Sequence, residues 1–244
     1  MAMSVFEVLR TTESPQRGLA GAESAAGGTE TCARRREVDG EIAKLVQRVF
    51  VLPGAANAPG AAAFCAVEAG AGCSWICAQS GEALAPQVPG SVCVVDANLR
   101  GPSIHEYFHL EIEQGFTEAM KDSRPVSEFA KRVGKSNLWV MTAGAPERDL
   151  NRVLNPARLH ARFSELRAQF DYLLIDTPAA GLFGDGVLLA QMTDGAILVI
   201  GSNSTRRESA KIVKHNFDEA RVSVLGVVLN KRTFPMPEAL YRRL

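Results

Sequence analysis

Beyond residue 60 the chain alternates short, nearly continuous apolar runs with longer stretches in which apolar residues recur every three or four positions. Six runs read as strands: 61 to 67 (AAAFCAV), 91 to 96 (SVCVVD), 138 to 142 (LWVMT), 171 to 176 (DYLLID), 195 to 200 (GAILVI) and 222 to 229 (VSVLGVVL). Several lack a polar alternate position, which fits strands covered on both faces by helices, as in a parallel sheet. Between them Leu159, Phe163, Leu166 and Phe170 mark one helical stripe, and Ala210, Val213, Phe217 and Ala220 another, both at the spacing of a core-facing surface. The alternation predicts an α/β fold with a doubly wound, mostly parallel sheet, whose ligand belongs beyond the carboxyl ends of the strands.

The chain before this pattern is different in kind. Residues 1 to 40 are expected to hold a short helix and a flexible linker: SVFEVLR (4 to 10) is amphipathic, whereas GLAGAESAAGGTE (18 to 30) is too small and polar to bury a core. Residues 41 to 60 are expected to form a helix, EIAKLVQRVF (41 to 50), and a Gly, Ala and Pro linker (53 to 60). The α/β domain then spans 61 to 232, with a tail over 233 to 244. The run Arg34 to Arg36 is followed at once by Glu37, Asp39 and Glu41, so it reads as a solvated surface segment.

Composition narrows the function classes. At 46% hydrophobic and 22% charged, the 244 residues suit a globular protein, and 27 Lys plus Arg against 27 Asp plus Glu leave no net field to draw it onto nucleic acid. No window approaches the 18 or so apolar residues of a membrane span, so a cytoplasmic chain is expected. The five cysteines (Cys32, Cys65, Cys73, Cys77, Cys93) form no CxxC pair and read as reduced thiols, mostly buried.

The first strand of the domain runs into VEAGAGCSW (67 to 75) and then a helical segment, which puts Gly70, Gly72 and Ser74 where a phosphate-cradling loop would be. Glycines let the backbone wrap, and helix-start N–H groups present a positive pole to phosphate. A full P-loop reads GxxxxGK followed by Ser or Thr; here the opening position is Val67 and the lysine position is Cys73. A plain glycine turn between strand and helix is the simplest alternative. A dinucleotide fingerprint is another, with Gly70 and Gly72 as GxG and Asp96 ending the next strand, but Trp75 occupies its third glycine position, where bulk obstructs helix packing. Downstream, LLIDTP (173 to 178) places Asp176 at a strand end, where an acid beside a P-loop contacts magnesium or its water shell.

Taken in order, GAGCS, VVDANLRGPS, GFTEAM (115 to 120), LWVMTAG (138 to 144), FDYLLIDTP, DGAILVI and VLGVVLNKR (224 to 232) resemble the cytoplasmic domain of bacterial tyrosine kinases, P-loop proteins that regulate capsule and exopolysaccharide export. The resemblance covers residues 61 to 232, and SVFEVLR looks like the family's usual beginning. It implies ATP or ADP with Mg2+ as cofactors, held by Gly70, Ala71, Gly72, Cys73, Ser74 and Trp75, with the Ser74 hydroxyl on the metal. Asp96 falls at the first acid of the family's DxDxR motif and Asp176 at its Walker B acid, which makes both catalytic and metal-site residues; Arg100 matches the motif's arginine, and Asn230 falls at an adenine-contact position of related ATPases.

The departures point away from catalysis. The family's phosphate-neutralising lysine is Cys73, the second acid of DxDxR is Asn98, and only Tyr241 of the three tyrosines lies near the end, where the family carries a phosphorylated cluster. Losing one charge-assisted hydrogen bond weakens binding by about tenfold to a hundredfold, whereas losing a preorganised charge in the transition state costs on the order of a hundredfold to a thousandfold in rate. The expectation is a degenerate, nucleotide-binding regulator of polysaccharide assembly that works by docking. Its partner would be a membrane co-polymerase or chain-length regulator, or an intact kinase paralogue, with possible homo-oligomerisation through the helix at 41 to 50. The alternatives are an active autokinase or ATPase in which another basic residue replaces the lysine, and, behind it, a dinucleotide-binding oxidoreductase. Cys73 itself is either a drifted position or a thiol activated by the helix start.

Overall fold

The computed structural model describes residues 5–9, 38–53, 58–202 and 204–231. Among these, eight strands form one sheet: β1 Val5–Leu9, β2 Ala61–Ala66, β3 Val92–Asp96, β4 Lys131–Arg132, β5 Leu138–Met141, β6 Tyr172–Asp176, β7 Ala196–Gly201 and β8 Val224–Asn230. Their order is β1-β8-β7-β2-β6-β3-β5-β4, and every pairing is parallel except that of β4 with β5. The six strands expected from the apolar runs are β2, β3, β5, β6, β7 and β8.

Side chains alternate across this sheet and divide the core into two layers. On one face Phe64, Val94, Leu174, Ile197 and Val228 meet helix α1 (38 to 46), through Ile42, Leu45 and Val46, and helix α2 Cys73–Leu84, through Ile76, Cys77 and Leu84. On the other, Val95, Leu173 and Ile175 meet α4 Phe116–Lys121 and α5 Pro156–Gln169. Ala63, Cys65 and Leu198 meet α7 Arg207–Glu219 on that same side. Short helices α3 Ile104–Phe108 and α6 Asp185–Ala190 complete the crossovers. Each large apolar side chain fully buried in this way contributes about 1.5–3 kcal/mol relative to exposure.

Local chemistry sets the helix ends. Helix α5 begins where the Asn155 side chain accepts the Arg158 amide at 3.2 Å and Pro156 supplies a first-turn residue with no amide to satisfy. Its stripe Leu159, Phe163 and Leu166 is buried as expected, and so are Val213 and Phe217 of α7. After residue 46 helix α1 widens into a turn, Gln47–Val51, closed by the Leu52 amide on the Gln47 carbonyl at 2.7 Å.

One expectation is corrected. Within residues 1 to 40 a short helix was expected, but Val5–Leu9 is a strand, laid parallel to β8 with Val5 opposite Val227 and Leu9 opposite Asn230. A five-residue amphipathic segment carries too few periods to separate the two states, and its partner lies more than 200 residues away. The linker over 10 to 37 (with Cys32 and Arg34 to Arg36), the tail over 233 to 244 and Tyr241 lie outside the described residues.

Candidate functional site

The site is built where β2, β3 and β6 end side by side. Asp176 closes β6 in register with Phe64 of β2 on one side and with Asp96 of β3 on the other. From Ala66 the chain turns through residues 67 to 72 into α2, whose first amides face the space beyond the strand ends. Gly70 (φ +77°) and Gly72 (φ +83°) take left-handed conformations that a side chain would resist. At Gly72 space is closed as well, because a Cβ there would lie 2.5 Å from the Asn230 amide nitrogen.

That proximity has a structural purpose. Asn230, at the end of β8, donates its side-chain amide to the Ala71 carbonyl at 2.8 Å, and its Oδ1 accepts the Lys231 amide at 2.9 Å. Lys231 turns with φ +58°, and its Nζ donates to the Gly70 carbonyl at 2.7 Å. The loop is thereby held from outside, by residues about 160 positions away along the chain.

The pocket over the loop has a volume of about 390 Å³. Gly70, Ala71, Gly72, Cys73, Ser74 and Arg100 all line it, so six of the residues expected at a nucleotide site come together. Asn98, Tyr107, Pro178, Phe183 and Lys231 add to its wall. Arg100 reaches across it to Asp185, Nε to Oδ2 at 2.7 Å, with its guanidinium 4.0 Å from the centre of the Phe183 ring. Burial and the nearby Asp176 and Glu106 carboxylates push the Tyr107 phenol upward.

Trp75 and Asn230 were expected to touch the ligand and do not line the pocket. Trp75 turns to pack against the core cluster shared by α1 and α2, leaving the phosphate space to backbone. The Asn230 side chain is buried against the loop, where its amide holds the Ala71 carbonyl.

The two acids also divide. Asp96 is buried with both oxygens engaged: Oδ1 accepts the Asn98 amide at 3.2 Å, and Oδ2 accepts the amides of Ser103 and Ile104 at 3.1 and 3.0 Å. Its carboxylate anchors the segment from 98 into α3. Burial pushes it up to about 7, against the opposing pull of the three amides. Asp176 is buried too, and neither of its oxygens takes a hydrogen bond of ordinary geometry. Burial first and the Asp96 charge second push it well above the carboxylate range, while the adjacent Ser74 hydroxyl and Cys73 thiol draw it back only in part.

An unpartnered buried carboxylate beside a P-loop serine fits a magnesium ion, which takes one or two carboxylates and leaves its remaining positions to water and phosphate. Ser74 and Asp176 suit that role; Asp96, with its oxygens committed to backbone, does not. No group of three or more His, Cys, Asp or Glu side chains forms a self-sufficient metal cage among the described residues. Cys73 is buried against Asp176, and burial and that charge push its thiol well up. Both effects work against an activated thiolate there. Lys231 and Tyr107 were missed, because a lysine after a strand and a tyrosine in a short helix carry no spacing signal.

No known protein-family profile matches the chain. Sequence similarity instead reaches a putative tyrosine-protein kinase CapB of Staphylococcus aureus, 26% identical over 148 residues, covering 61% of this chain and 65% of CapB. Tyrosine-protein kinase YwqD of Bacillus subtilis is 27% identical over 139 residues, covering 57% and 59%. Tyrosine-protein kinase ptk of Acinetobacter johnsonii is 25% identical over 139 residues, but these make up only 19% of it. The chain thus matches less than two thirds of the length of each. Among solved structures, the chimerical protein CapA2B2 superposes with a TM-score of 0.73 at 20% identity, covering 81% of this chain and 86% of that one. The kinase domain of Escherichia coli tyrosine kinase ETK gives 0.71 at 15% identity, covering 97% and 94%. MinD of Pyrococcus horikoshii, complexed with Mg-ADP, gives 0.58 at 20% identity, covering 75% and 76%. These likenesses establish a P-loop type of α/β fold.

Proposed function

We propose that this chain, which belongs to the bacterial tyrosine-kinase family, is a magnesium-nucleotide-binding regulator of capsule or exopolysaccharide assembly with little phosphotransfer of its own. One observation carries the reading: the loop keeps its glycine geometry, its helix-start amides and the Ser74 and Asp176 pair, while the position of the phosphate-neutralising lysine is a buried cysteine facing Asp176. The retained parts are those that bind ADP or ATP with Mg2+; the lost ones act on the transition state. Magnesium, when bound, would supply charge neutralisation at the phosphates. The chain's own residues would cradle the phosphates with amides, hold the metal at Ser74 and Asp176, and wall the ligand with Tyr107 and Arg100.

Docking is then the output. None of the described helices is long and apolar enough to cross a membrane, so a cytoplasmic chain would meet the export machinery through a membrane co-polymerase, an intact kinase or further copies of itself. The second reading, an active autokinase or ATPase, is favoured by one feature only, the Lys231 ammonium on the loop. Calorimetric titration with ADP and ATP, with and without magnesium, alongside turnover of radiolabelled ATP by wild type and Asp176→Asn, tests both. Magnesium-dependent binding with negligible turnover supports the regulator. Brisk turnover abolished by Asp176→Asn establishes the enzyme instead.

A further inference from the structure

We infer that Lys231 supplies the cation for the terminal phosphates of the bound nucleotide, taking over from the end of β8 the role that the loop itself has lost. The inference rests on the proposed nucleotide site and adds to it the source of its positive charge. Four observations lead there. Of the described residues lining the pocket only Arg100 and Lys231 are cationic, and Arg100 is already paired with Asp185 and stacked on Phe183. The Lys231 ammonium has three donors, of which one is used on the Gly70 carbonyl. Its side chain is brought to the loop by a left-handed backbone at φ +58°, a conformation disfavoured for a residue with a Cβ and held here by the Asn230 side chain. Its neighbour Asn230 fixes Ala71 in the same loop, so ammonium and amide cradle share one support.

The substitution is one of origin rather than of chemistry. A lysine at position 73 would enter the pocket from the first turn of α2; Lys231 reaches the same loop from the end of β8, over Gly70. Entering phosphate oxygens offer the ammonium a charged acceptor, a stronger partner than the neutral carbonyl it holds now. Lys231 thus favours phosphate-bearing nucleotides over the nucleoside.

The test is isothermal titration of the full chain with ADP, ATP and adenosine in magnesium buffer. Lys231→Ala and Lys231→Gln should each weaken ADP and ATP by about tenfold to a hundredfold and leave adenosine unchanged, while Lys231→Arg keeps most of the affinity. Glutamine can still donate to the Gly70 carbonyl, so it separates the charge from the loop contact even where alanine loosens the loop. Wild-type affinity in Lys231→Gln, or an arginine variant as weak as the glutamine one, overturns the role of Lys231 and leaves the nucleotide site standing. Failure of the wild type to bind ADP or ATP overturns both.

Discussion

Asp96 and Asp176 stand opposite one another on adjacent parallel strands, and the parity of β3 and β6 sends both side chains to the α2 face. Each raises the cost of charging the other. Asp96 is partly relieved by three backbone amides, whereas Asp176 has none of ordinary geometry, so the pair has a committed member and an available one.

The pair should make the unliganded protein less stable as pH rises. Both folded-state acids titrate above the ordinary 3.8, Asp96 at about 7 and Asp176 well up, so the folded chain holds protons that the unfolded chain releases. Their contribution is fully present below pH 3.8; that of Asp96 is lost as pH rises through about 7, and that of Asp176 as pH rises through its own raised folded-state value. Thermal unfolding between pH 5 and 8 should fall in midpoint for wild type. Asp176→Asn should flatten the profile and be more stable at pH 8 by about 1–2 kcal/mol, in line with the cost of an unsatisfied buried group. A wild-type midpoint that climbs over this range would contradict the assignment.

Magnesium should reverse the penalty only in company. With nucleotide present the ion has phosphate and Asp176 together, so saturation at a hundredfold excess over the dissociation constant should add about 2.7 kcal/mol to the unfolding free energy. Magnesium alone should shift the unfolding midpoint little, and Asp176→Asn should lose most of the nucleotide-dependent gain. Differential scanning calorimetry with the four combinations of ion and nucleotide reads this out.

Cys73→Lys returns a cation to the helix start beside an unpartnered carboxylate. Nucleotide affinity should rise about tenfold or more, and any phosphotransfer by on the order of a hundredfold. Radiolabelled ATP turnover by the variant measures the second effect; unchanged turnover would place the deficit at Asn98 or elsewhere.

The four described cysteines should be inert in the folded protein. Burial pushes Cys65 up to about 12, and Cys73, Cys77 and Cys93 are raised by the same cause. Alkylation mapped by mass spectrometry at neutral pH should modify Cys73 no faster than Cys65 or Cys93. Preferential labelling of Cys73 would restore the activated thiol.

Gly72→Ala should remove about 2–3 kcal/mol of stability, combining left-handed backbone strain with displacement of the Asn230 amide from Ala71. Asn230→Ala should cost about 1–3 kcal/mol by leaving the Ala71 carbonyl unsatisfied. Chemical denaturation at fixed pH compares the two, and they should be less than additive because they break the same contact.

The strands of this fold were legible because a sheet covered on both faces writes itself as unbroken apolar runs, and Asp96 and Asp176 were legible because an acid ending such a run is conspicuous. Two short strands were not. Lys131–Arg132 carries no apolar signal at all, and Val5–Leu9 is defined by a partner at the far end of the chain. At the site, spacing located the loop but not the directions of its neighbours. Trp75 packs against the core, and Asn230 grips the loop, because tertiary contacts decide where a side chain points. Lys231 is the same lesson from the other side: its position in the sequence is unremarkable, and its importance comes from one left-handed residue.

The clamp on the loop also sets an order of events during synthesis. Gly70 and Ala71 leave the ribosome some 160 residues before Asn230 and Lys231, which hold their carbonyls. Until β8 docks against β7 the loop has no outer support, and closure across so long a separation is entropically late. A nascent chain can therefore assemble β2, β3 and β6 without a rigid anion cradle, so ligand competence waits on the docking of β8.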